Sequence, residues 1–143
     1  MTFSMLKTPR HWLAAAVVGV ALAGVVLSTS ALAKLAKNTI DPVATLAAQG
    51  RVITLTGPIE ATAGETVYTR VTVTQRSTGA VAEGIAFFTG TGATQQWRVK
   101  AVTVTREAFE EGAATAVGLA RSTERARATD AHQWLVPVTL VRE

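Results

Sequence analysis

Thr66-Val-Tyr-Thr-Arg-Val-Thr-Val-Thr-Gln-Arg76 is the stretch on which the fold turns. Val67, Val71 and Val73 fall on one side of an extended chain, and Tyr68, Arg70, Thr72, Thr74 and Arg76 on the other. A period of two, rich in β-branched residues, marks a half-buried strand, because successive side chains leave opposite faces of the pleat. No helical period fits it well.

Working outward toward the C-terminus, Ser77-Thr78-Gly79 supplies a turn and Ala80–Thr89 a return strand, with Ile85 and one of Phe87 and Phe88 expected to face inward. Neighbouring side chains alternate, so the other phenylalanine is expected at a bulge, against a second apolar surface, or exposed. After Gly90-Thr91-Gly92, the stretch Gln95–Thr105 puts Trp97, Val99 and Ala101 on one face but Val102 and Val104 on the other. That phase change predicts a bulge or a crossover between sheets near Lys100–Val102. Arg106–Gly112 places Phe109 among Glu107, Glu110 and Glu111, and Ala113–Thr123 reads as a strand of small residues. Arg121–Asp130 reads as a charged loop, and Gln133–Val141 as the last strand, with Trp134, Val136, Val138 and Leu140 on one face. Pro137 has no N–H for a ladder, which predicts an edge position or a bulge.

Working toward the N-terminus, Val52–Ile59 reads as a strand interrupted by Gly57-Pro58. Residues 34–50 read as a linker: Asp41-Pro42 suits a helix start, Val43, Leu46 and Ala47 share a helical face, and Gly50 suits a stop, so one short helix is expected. The domain itself is read as 51–143. Residues 1–33 carry Lys7 and Arg10, then the unbroken apolar run Leu13–Leu27, then Ala31-Leu32-Ala33. Those are the three regions of a secretory signal peptide, with cleavage expected after Ala33 and Ala31 as the second small residue. The competing reading is an uncleaved anchor over residues 12–33, long enough for a hydrocarbon core of about 30 Å. Either places residue 34 onward outside the cytoplasm, secreted, periplasmic or membrane-anchored, in what reads as a bacterial chain.

The 143 residues amount to one domain once the leader is set aside. Without Lys7 and Arg10 the +4 charge falls to +2, twelve basic against ten acidic side chains, and the basic residues are scattered rather than striped. Nucleic acid is therefore set aside as a partner. The absence of cysteine excludes thiol catalysis, cysteine-ligated metal, disulfides and a lipidated N-terminal cysteine together. Six or seven short strands with Gly-, Ser- and Thr-rich turns predict an all-β fold, a single antiparallel β-sandwich of immunoglobulin-like or fibronectin type III-like topology.

No catalytic, cofactor-binding or metal-ligating set emerges. Asp130 and His132 lack a nucleophile in a recognisable context, and His132 lacks a second strong metal ligand. Glu107, Glu110 and Glu111 crowd one corner, whereas glycoside hydrolysis needs two carboxyl groups facing each other across a cleft. Trp97 and Trp134 suit a sugar platform in type, but each lies in phase with valines, as core residues do. Tyr68 and Arg70 on the wet face of their strand, with Arg121, Arg125 and Arg127, form the candidate interaction surface for a partner protein, an anionic glycan or a lipid headgroup. The expectation is an exported, non-enzymatic protein without a cofactor that binds another envelope or extracellular protein. A carbohydrate-binding module and a small hydrolase are the alternatives, and a membrane is involved only if the N-terminal segment is retained.

Overall fold

The structure is a computed structural model that describes residues 35, 36 and 38–143. The leader or anchor read over residues 1–33, with its cleavage residues Ala31 and Ala33, lies outside the described residues. Seven strands follow in chain order: β1 (Val43–Ala47), β2 (Val52–Glu60), β3 (Thr66–Gln75), β4 (Ala80–Thr89), β5 (Thr94–Thr103), β6 (Gly112–Glu124) and β7 (Arg127–Arg142). They close into a barrel in the order β1-β2-β5-β4-β3-β6-β7, with β7 returning to β1.

The all-β expectation is met, but the sandwich is not, and with it the immunoglobulin-like topology falls. Two short seams make the difference. β4 and β5 pair through Ala82↔Thr103 and Glu83↔Val102, and β1 runs parallel to β7 from Val43↔Thr139 to Leu46↔Arg142. These ladders join what would otherwise be two sheets, but they are short: β4 beyond Glu83 and β7 before Thr139 keep a ladder on one side only. Every other neighbouring pair is antiparallel.

The expected linker helix is also replaced. Residues 43–47 form a strand because β2 and β7 offer ladder partners on both sides, and Ala44 and Leu46 point inward while Val43 is exposed. Ala48, Gln49 and Gly50 then turn the chain with positive φ at all three. The barrel thus begins before residue 51. Upstream, residues 35, 36 and 38–41 lie along β2 through the Ala36↔Glu60 bridge and the Thr39 N–H to Pro58 O and Asp41 N–H to Thr56 O bonds.

Alternation builds the interior. Val67, Val71 and Val73 of β3 are fully buried, together with Ile53, Leu55 and Ile59 of β2, Trp97, Val99 and Ala101 of β5, and Val138 and Leu140 of β7. Burying one such aliphatic or aromatic side chain contributes about 1.5–3 kcal/mol. β6 turns only small residues inward, Ala114, Ala116, Gly118, Ala120 and Ser122, which leaves room for Trp134 from β7. Gly118 is where that room is required: ring atoms of Trp134 lie 2.6–2.9 Å from the place a Cβ would occupy. Gly57 has the same relation to Trp97, its partner across β2 and β5. β2 therefore runs unbroken through Gly57-Pro58.

Phe109 enters the core from the loop after β5 and donates its backbone N–H to Gly50 O. Gln75, 1% exposed, holds the next residue: Nε2 donates to Glu110 O and Oε1 accepts Glu110 N–H, both at 2.8 Å. β5 carries no bulge near residues 100–102; its register with β2 is continuous, and Val102 and Val104 simply face solvent. Pro137 sits where β7 has a ladder with β6 alone, since pairing with β1 begins at Thr139.

Candidate interaction face

β4, β3, β6 and β7 lie side by side, and their registers decide which outward side chains meet. Tyr68 stands opposite Phe87 on one side and Arg121 on the other. Arg70 stands opposite Ile85 and Leu119, and Thr72 opposite Glu83 and Val117; Val117 in turn faces Leu135. The outcome is a diagonal band of Phe87, Tyr68, Ile85, Leu119, Val117 and Leu135 across the outer wall.

Ile85 is 54% exposed, Phe87 69% and Leu135 68%. Ile85 was expected inside; β4 instead turns Ala80, Ala82, Gly84, Ala86 and Phe88 inward, and this phase puts Ile85 and Phe87 outside. The paired phenylalanines divide as alternation requires: Phe88 packs on the core, and Phe87 lies against Tyr68 with ring centroids 5.2 Å apart and planes 58° apart.

Of the interaction residues read from sequence, Tyr68, Arg70 and Arg121 share this face. The Arg121 guanidinium lies over the Tyr68 ring, 5.5 Å from its centroid. Arg70 Nη2 donates to both carboxylate oxygens of Glu83 at 3.1 Å. Arg125 and Arg127 stand at the rim, because the expected charged loop is a tight hairpin: β6 runs to Glu124 and β7 starts at Arg127, with positive φ at Arg125 and Ala126. Sequence reasoning placed Ile85 inward, did not single out Leu119 or Leu135, and left one of Phe87 and Phe88 to a bulge, a second apolar surface or exposure. The adjacent phenylalanines were the one sequence signal pointing to an aromatic ring outside the main core.

The other candidates serve the barrel itself. Asp130 Oδ2 accepts the Leu35 N–H at 2.7 Å, and Asn38 Nδ2 donates to His132 Nδ1 at 2.9 Å, so both residues fasten segment 35–41 to β7. Ser122, Thr129 and the buried Glu65 form a hydrogen-bonded chain at the same end of the barrel. In the glutamate corner, Glu111 binds the Arg142 backbone N–H, and Glu110 is tied through its backbone to Gln75. Trp97 is 2% exposed and Trp134 packs against the core, so the two indoles form no open sugar platform. Among the described residues no three of His, Asp and Glu gather as metal ligands.

Fold and face together define a closed seven-stranded barrel with one apolar, arginine-bearing outer wall. No family model matches the chain, and no curated protein matches it.

Proposed function

We propose that this chain is an exported, non-enzymatic binding module that docks another envelope or extracellular protein on the outer wall formed by β4, β3, β6 and β7. The observation that carries this reading is the exposure of Ile85, Phe87 and Leu135 on one wall. Together they leave roughly 300 Å² or more of apolar side chain in water, the size of the largest such patch on a typical monomer, which is often functional. Export is supported by the leader-like residues 1–33.

The test places a photo-reactive phenylalanine analogue at position 87 of the full chain in its own cells, with the same analogue at Thr54 on β2 as control. A discrete adduct from position 87 alone, recovered from the exported or envelope fraction, is the expected result. Identical adducts from both positions, or none from 87, overturn the docking reading. N-terminal peptide mapping of the same fractions tests export: a chain beginning at Lys34, or one retained in membranes, fits, whereas an intact soluble chain in the cytosol does not.

A further inference from the structure

We infer that the docked partner is an acidic protein segment, carrying Asp or Glu beside aromatic or aliphatic side chains; this rests on the docking reading above. Charge complementarity argues for it. The wall and its hairpin rim carry Arg70, Arg121, Arg125 and Arg127 against Glu83, Glu124 and Asp130, four positive less three negative, for a net +1. All four cations are arginine, the residue whose planar fork matches a carboxylate with two parallel N–H donors.

The arginines are not equally engaged. Arg70 is committed to Glu83. Arg121 makes a cation–π contact with Tyr68 beside the apolar band, a contact that uses none of its N–H donors. Arg121, Arg125 and Arg127 have no carboxylate partner among the described residues. A partner that buries Phe87 and Ile85 therefore brings its neighbouring groups up to guanidinium donors that lack an acceptor. Carboxylates satisfy those donors, and a neutral or basic surface leaves them desolvated and unpaired. A second copy of this chain is the poorer occupant, because a two-fold axis would set the same net-positive wall against itself.

The experiment selects a random-peptide library, displayed on its encoding RNA, against the immobilised full chain, and measures the enriched peptides by fluorescence anisotropy at low and high salt. Peptides pairing Asp or Glu with Phe, Trp or Leu are expected. Their affinity should fall about tenfold or more in Arg121→Glu, should be lost in Phe87→Ser, should weaken with salt, and should be unchanged in Arg98→Glu on β5. Phe87 is mostly exposed, so its replacement leaves the barrel folded. Enriched peptides that need Phe87 but are neutral or basic, and that ignore Arg121→Glu, overturn the acidic partner while the docking wall stands. Peptides indifferent to both substitutions, or no enrichment, overturn both readings. A dimer in sedimentation that Phe87→Ser disperses assigns the wall to a second copy. Binding to phosphatidylglycerol vesicles that Arg121→Glu abolishes, without any selected peptide, assigns it to a lipid surface; each of these two overturns the inference.

Discussion

Replacing Gln75 by glutamate exchanges one atom and reverses one half of a buried clamp. Gln75 is 1% exposed; its Oε1 accepts the Glu110 N–H and the Thr78 hydroxyl, while its Nε2 donates to the carbonyls of Glu110 and Ala113. In Gln75→Glu the acceptor side survives. The donor side becomes a carboxylate oxygen facing two carbonyl oxygens, one of them 2.8 Å away. An uncompensated buried charge of this kind costs about 3–5 kcal/mol. Protonation returns one O–H donor toward Glu110 O, so the native state favours the protonated acid and raises its pKa above the unfolded value of about 4.3. The sign follows from proton binding. Between the two pKa values the native state holds a proton that the unfolded state has released, so stability falls as pH rises through that window. Urea unfolding of both proteins, followed by tryptophan fluorescence from pH 4 to pH 7, should show a deficit of about 1 kcal/mol at the acid end and about 3–5 kcal/mol at neutrality. A deficit that does not change with pH, or one below about 1 kcal/mol at pH 7, would refute the assignment of Gln75 as the donor that anchors the Phe109 loop.

Gly57→Ala should cost about 3 kcal/mol or abolish folding, because its Cβ would overlap the Thr39 carbonyl oxygen and the Trp97 ring; thermal unfolding against the unsubstituted protein measures it. Asp130→Ala removes the acceptor for the Leu35 N–H and should lower stability by about 1 kcal/mol, with faster hydrogen exchange confined to the 35–41 segment as the diagnostic. Phe109→Ala should cost about 3–5 kcal/mol in urea unfolding, since the ring is 1% exposed. Arg70→Ala should cost less than about 1 kcal/mol, and high salt should erase the difference, since the Arg70–Glu83 pair is 48% and 40% exposed.

Alternation alone located most of the strands and placed Val67, Val71 and Val73, with the Trp134, Val136, Val138 and Leu140 series, on core-facing sides. It also kept Phe87 and Phe88 from sharing one face of a regular strand. These properties are local, because the pleat fixes them within a few residues whatever the neighbours are. The phase of β4 was harder to read: its inward residues are mostly alanine and glycine, whose weak apolar signal let Ile85 pass for the core residue. Strand β1 was misread for a related reason, since Asp41-Pro42 is a sound helix start in isolation and only two flanking ladders make residues 43–47 extended.

Closure belongs to the tertiary structure. The seams that turn two sheets into a barrel rest on two pairs between β4 and β5 and four between β1 and β7, the latter joining residues at opposite ends of the described chain. No short-range pattern encodes such partners. The sequence by itself placed Tyr68, Arg70 and Arg121 on wet positions and, through composition, set aside thiol and cysteine-metal chemistry. Only the register of β3 with β4 and β6 brought Phe87 and Arg121 to the two sides of Tyr68, because strands remote in sequence become neighbours only when their ladders form.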